Sequence, residues 1–250
     1  MFKKDAFGNS LLFKRIMILV FGSVAFYRFI KVNKTTIKGW EILHKLPKNN
    51  VLFVSNHQTY FMDVFLLYIT LSAVKNGKSS LTPFWYVLNP VLNFYYVAAV
   101  ETMKGGFLPK LMAKTGAVMI KRTWREKGKN VNRQVDLKDL TNIFTALDEG
   151  WVVTFPQGTT TPYAKGRKGS AHIIKQSRPT VIPVNIEGFR KAFDKTGLKM
   201  KKKGTDISMT FKEPMKIDFE APADKILEQI MVEIKQHEDF VPDLKPEPIN

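Results

Sequence analysis

The chain has no cysteine. That excludes a disulfide framework, a thiolate metal site and a thiol nucleophile. Acidic residues are also in short supply. There are 22 Asp and Glu against 39 Lys and Arg, a formal net charge of +17. Such an excess calls for an anionic partner: nucleic acid, an anionic membrane or an acidic carrier. No RNP, zinc-finger or helix-turn-helix signature accompanies the charge, so nucleic acid is set aside. No His/Asp/Glu cluster has metal-ligand spacing, so no metal is expected. Long apolar runs are missing as well. The longest near the amino end, residues 16–27, has twelve residues, where a spanning helix needs about 20. Internal repeats and an interdomain linker are absent too. What remains is a chain of 250 residues, 44% hydrophobic, enough for one large domain with a real core.

The chain is organised around residues 51–63. Val51-Leu52-Phe53-Val54 reads as a short buried strand, ended by the polar Ser55 and Asn56. His57 follows at the carboxyl end of the strand, where open α/β sheets place their ligand sites. Residues 61–70 are apolar enough for a helix buried on most sides. An acidic residue, Asp63, falls six positions after His57, in the first helical turns. A neutral imidazole takes up a proton at working pH, and a carboxylate on its far nitrogen fixes the tautomer. With no serine or cysteine partner in view, such a pair activates the substrate's own hydroxyl. The plainer alternative is a histidine that only caps the helix.

Before this stretch, Lys3, Lys4, Lys14 and Arg15 precede the apolar run, and Arg28 and Lys31 follow it. This pattern predicts an interfacial helix with cations reaching toward lipid phosphates, or else a core helix. Residues 79–100 carry no charge. Residues 81–93 read as an aromatic loop suited to a bilayer's headgroup level, or an ordinary aromatic core segment, and 94–100 as a buried strand. A short helix over 110–115 leads to a strand at 117–120, with Lys104 and Arg122 beyond the ends of their strands. The stripe Leu140, Ile143, Phe144, Leu147 predicts a helix over 136–148 and a strand follows at 151–155. Residues 156–169 form a second polar loop. Gly158 lets backbone approach a ligand, Thr159 and Thr160 offer hydroxyls, and Lys165 is close behind. Ser170 is placed to cap a helix reaching Ser177. A strand at 181–186, a basic connector at 190–203, a strand at 206–211 and a helix at 223–236 complete the pattern. Strands alternating with helices predict an α/β fold: a mixed, mainly parallel sheet with helices on both faces, plus an N-terminal interfacial helical segment. The expected organisation is a membrane-interfacial segment at 1–31, one domain at 32–240 and a loose tail at 241–250.

Four blocks then match one family in order. Asn56-His57…Asp63 resembles the first motif of the glycerolipid acyltransferases of the lysophosphatidic acid acyltransferase type. Gly116-Ala117-Val118-Met119-Ile120-Lys121-Arg122 resembles the Gly-x-hydrophobic-x-x-Arg block. Phe155-Pro156-Gln157-Gly158-Thr159 resembles Phe-Pro-Glu-Gly-Thr, and Val181-Ile182-Pro183-Val184 the late Val-Pro-hydrophobic strand. Three departures stand out. Five residues, not four, separate His57 from Asp63. Gln157 stands where the family has Glu. Thr160 stands where the family has the Arg that holds the substrate's phosphate.

The resemblance implies acyl transfer from a thioester, acyl-CoA or acyl carrier protein, to a lysolipid hydroxyl, with 1-acylglycerol 3-phosphate as the usual acceptor and no cofactor besides the thioester. His57 is then the base and Asp63 its orienting partner. Backbone N–H groups near Gly158, or a nearby side chain, then steady the oxyanion. Lys104, Arg122, Gln157, Gly158, Thr159, Thr160 and Lys165 are candidates for substrate binding. Thr160 leaves room for another acceptor, such as an N-acyl amino acid lipid. A catalytically silent, basic membrane-binding protein is the rival reading. The expected location is the cytoplasmic face of a membrane, bound peripherally at an anionic surface.

Overall fold

The computed structural model describes residues 3–121, 125–126, 129–130 and 137–242. The first element is a helix, α1 (Leu11–Phe26), capped by Ser10 and running into a wider turn at Tyr27–Lys31. Strand β1 (Lys34–Lys38) and helix α2 (Trp40–His44) lead to β2 (Val51–Ser55) and α3 (Met62–Lys75). After a 3-10 turn at Phe84–Leu88 come β3 (Phe94–Ala99), α4 (Val100–Lys104), α5 (Phe107–Ala113) and β4 (Ala117–Ile120). Two-residue strands β5 (Arg125–Glu126) and β6 (Lys129–Asn130) pair only with each other. Then follow α6 (Leu137–Glu149), β7 (Trp151–Thr154), α7 (Gly169–Ser177), β8 (Thr180–Glu187), α8 (Phe189–Ala192), β9 (Asp206–Phe211) and α9 (Ala223–Glu233).

The main sheet has seven strands in the order β1-β9-β8-β2-β7-β3-β4. All neighbours are parallel except β8 and β9. This is the mixed, mainly parallel sheet that the alternating pattern predicts. Its central strands are mostly apolar because both faces are covered. In β2, Phe53 points into the layer holding α1, α2 and α3, while Leu52 and Val54 point into the layer holding α6, α7 and α9. In β7, Val153 and Val152 divide the same way.

Helix α3 runs five residues past the predicted end, and every residue from Met62 to Val74 is buried. Helix α1 does not stand apart from the sheet. Lys14, Ile18, Gly22 and Ala25 form its buried stripe, and Phe21 stacks on Phe65 of α3 with centroids 5.3 Å apart. Lys14 is thus turned inward rather than toward solvent, because it shares a helical face with Ile18 and Gly22. Ser170 does not cap α7, which already begins at Gly169. Its hydroxyl lies 3.3 Å from that of Thr154. Most of the expected tail, 243–250, lies outside the described residues. So does Arg122.

Parallel order carries the functional consequence. β8, β2, β7 and β3 lie side by side and point the same way, so the loops after them emerge at one edge. The segments that follow these strands there hold Arg190 in α8, His57, residues 156–168 and Thr102 in α4.

Candidate active site

The turn after β2 is fastened before it reaches His57. The Asn56 side-chain amide donates to the Ile186 carbonyl at 2.8 Å, and its oxygen accepts from the Ile186 N–H at 2.8 Å. Gln58 donates to the same carbonyl at 2.8 Å. β2 and β8 therefore hold the turn between them.

Asp63 sits in the first turn of α3 and is fully buried. One carboxylate oxygen accepts from the Gln58 N–H at 2.6 Å and faces His57 Nδ1 at 2.9 Å. The other accepts from the Thr59 N–H at 3.0 Å and the Thr59 hydroxyl at 2.6 Å. A carboxylate surrounded by donors makes Nδ1 the protonated ring nitrogen and leaves Nε2 as the acceptor. The six-residue spacing works because His57 lies in the turn, ahead of the helix. The ring is stacked on Phe155 with centroids 3.9 Å apart, which fixes its plane.

His57 lines a groove of about 740 Å³. Its lining includes apolar side chains from both layers: Val64 and Met103 from one, Val97, Ile120, Leu140 and Ile143 from the other. The rim is cationic, with Lys121, Lys165, Arg167, Lys168 and Lys195 against a lone carboxylate, Asp139, among the described lining residues. Lys168 is paired with Asp224 at 2.8 Å, and Lys195 lies over the Tyr60 ring at 5.7 Å. Among the described residues no cluster of His, Asp and Glu is arranged to hold a metal.

Of the candidate binding residues, Gln157, Gly158, Thr159 and Lys165 line the groove beside His57. Gln157 is nearly fully buried. Its Nε2 donates to the Ala164 carbonyl at 2.9 Å and to Gln236 Oε1 at 3.2 Å, while its own oxygen has no partner among the described residues. The Gly158 N–H is not free for an oxyanion, because it closes a turn onto the Phe155 carbonyl at 2.9 Å, with φ at +62°. The next N–H along, that of Thr159, makes no hydrogen bond to the described residues.

Two candidates are not brought in. Lys104 is exposed at the end of α4, and the groove is lined by Thr102 and Met103 instead. Successive helical residues point about 100° apart, so the strand's end does not fix which of them faces inward. Thr160 is buried and lines no part of the groove. Its carbonyl accepts from Arg190. Arg190 and Lys195 were hidden in what reads as a basic connector, and nothing in their local sequence marks them out.

Fold and site together define a class: an α/β protein with a His–Asp pair at the carboxyl edge of its sheet, beside a groove with apolar lining and a cationic rim. The acyltransferase family matches residues 34–187, more than half of the chain, and the chain belongs to that family. It is therefore an acyltransferase. No curated protein sequence matches the chain. The crystal structure of the 1-acyl-sn-glycerophosphate (LPA) acyltransferase PlsC from Thermotoga maritima shares the fold. Its TM-score is 0.53 at 19% identity, over 93% of this chain and 80% of that one.

Proposed function

We propose that the protein moves a fatty acyl group from an acyl thioester, acyl-CoA or acyl carrier protein, to the hydroxyl of a lysolipid. The acceptor best supported is 1-acylglycerol 3-phosphate, giving phosphatidic acid. The observation that carries this reading is the His57–Asp63 pair opening on a groove that offers apolar side chains to the acyl chains and cations to a phosphate. His57 Nε2 takes the proton from the acceptor hydroxyl as its oxygen attacks the thioester carbonyl. Asp63 stabilises the imidazolium that forms. The Thr159 N–H is the candidate donor to the tetrahedral oxyanion. Collapse breaks the carbon–sulfur bond, and the thiolate recovers the proton from His57.

Purified protein given lysophosphatidate and acyl-CoA is expected to release free thiol and form phosphatidic acid. Since Lys104 does not line the groove, Lys165, already a candidate, and Lys195 are the proposed cations for the phosphate. Replacing both with alanine should raise the KM for lysophosphatidate about tenfold, near 1.4 kcal/mol, and leave an uncharged lysolipid acceptor unaffected. Thr160, in place of arginine, motivates the second reading: turnover of an N-acyl amino acid lipid with none of lysophosphatidate would move that acceptor ahead.

The same reading places the protein peripherally on an anionic membrane at the cytoplasmic face. No described helix is long and apolar enough to cross one. Leu12, Ile16, Val20 and Val24 form a half-exposed stripe along α1, and Tyr27 continues it. Trp85, 72% exposed, sits in the neighbouring 3-10 turn, which is joined to α1 by the Phe26–Phe84 contact. Arg28 and Lys31 close the helix with cations. An apolar stripe flanked by lysine and arginine suits the headgroup boundary. Removing the helix would open the core, so the test is made on the stripe. Val20→Glu with Val24→Glu should lower binding to anionic vesicles about tenfold while the melting temperature holds. Unchanged binding would place the contact elsewhere.

A further inference from the structure

Arg190 joins two loops that are distant in sequence. Its Nη2 donates to the His57 carbonyl at 3.0 Å and to the Thr160 carbonyl. Its backbone N–H donates to Gln58 Oε1 at 3.3 Å, and its carbonyl accepts from Lys201 Nζ at 3.0 Å. The residue stands on a rigid base. Gly188 has φ at +86°, and a side chain there would meet the Asp206 carbonyl at 2.2 Å. Phe189 is fully buried and packs on Phe29 at 5.3 Å. A turn of that kind holds its arginine in place.

We infer that Arg190 is a positioning residue for acyl transfer: it locks the His57 turn to the 156–161 loop and so sets the base against the oxyanion donor. This rests on the acyltransferase reading with His57 as base. The position of the guanidinium matters because its hydrogen bonds tie the backbone of the His57 turn directly to that of this loop, beside the stacking of the His57 ring on Phe155. The two Nη2 hydrogens lie in one plane and reach two carbonyls, which a flexible ammonium does poorly. Thr160 is buried, so without Arg190 its carbonyl has no donor from the described residues and the loop must shift to find water. The charge also lies within electrostatic reach of Asp63. The sequence thus places threonine at position 160 and brings a guanidinium to that position's backbone from thirty residues further on.

Two measurements test the assignment on the full chain, with Arg190→Met and Arg190→Lys. The first is steady-state kinetics with acyl-CoA and lysophosphatidate. Arg190→Met should lower kcat about 100-fold, the size of effect a 1 Å misplacement has, with the KM for the thioester within about twofold. Arg190→Lys should fall between the two. The second is amide hydrogen exchange without substrate, which should quicken in residues 56–60 and 157–161 together. The inference is overturned if Arg190→Met keeps more than about half of the wild-type kcat. It is overturned equally if exchange changes in one loop only, or in neither. If Arg190→Met does not fold, Arg190→Lys decides on the same two criteria. Should the wild-type protein transfer no acyl group to any lysolipid, the functional reading falls, and exchange still decides whether the clamp exists.

Discussion

His57→Ala is expected to lower acyl transfer by about 10³-fold, within the range that a positioned general base contributes. The ring carries little of the fold. It stacks on Phe155 and meets Asp63 at the edge of the groove, outside both hydrophobic clusters, so the variant should melt close to wild type and bind acyl-CoA normally. A variant keeping a tenth of the wild-type turnover would remove His57 from the mechanism. Asp63→Asn should be at least as severe, for two separable reasons. The amide carries no charge to stabilise imidazolium. It also turns an NH2 toward groups that are all donors: the Gln58 and Thr59 N–H groups, the Thr59 hydroxyl and His57 Nδ1. One of those buried donors must then go unpaired, at about 1–3 kcal/mol. Asp63→Asn should therefore lose stability as well as turnover, whereas His57→Ala should lose turnover alone. Equal melting temperatures for the two variants would show that Asp63 does not hold the turn.

That pair was legible in the sequence because both members belong to one strand–turn–helix unit. An apolar run, two polar residues, a histidine and an acid at the start of the next helix fix its geometry almost without tertiary help. The sheet was legible for the same kind of reason: buried parallel strands are short apolar runs, and β4 and β9 begin and end where the pattern places them. The cations were another matter. Lysine and arginine read alike whether they line a groove, pair or face solvent. Their roles come from which strand ends are neighbours in space. Lys104 follows β3 and Lys165 follows β7, yet only Lys165 reaches the groove. Arg190 meets His57 across 133 positions of sequence, through the β2–β8 pairing. Local pattern holds no signal for such a contact.

Lys14 makes the same point and yields a large expected effect on stability, of opposite sign to that of Asp63→Asn. As a basic residue ahead of an apolar run it reads as a headgroup contact. In the fold it is fully buried, with Nζ donating to the Phe94 carbonyl at 3.3 Å and lying 4.3 Å from the centre of the Tyr95 ring. Burial pushes its pKa down to about 8, with Asp5 and Glu149 opposing at longer range. An unfolded chain holds this proton up to about pH 10.4. Between those values the unfolded state binds more protons than the folded one, so the Lys14 contribution raises stability as pH rises through the window. The full shift corresponds to about 3 kcal/mol. Burial moves Tyr95 and Tyr96 upward, so the folded state keeps their protons longer than the unfolded one and their contribution falls above about pH 10. Lys14→Met fills the space without a charge, and the Tyr68 hydroxyl, whose one hydrogen is shared between the Thr115 and Phe94 carbonyls, stays beside the vacated site. The variant should be more stable than wild type by about 1–3 kcal/mol at pH 7, after the lost hydrogen bond and ring contact are allowed for. Its advantage should shrink between pH 8 and 10, measured by urea unfolding at each pH. A variant less stable than wild type at pH 7 would mean that the ammonium is held by its carbonyl and ring contacts more strongly than burial opposes it.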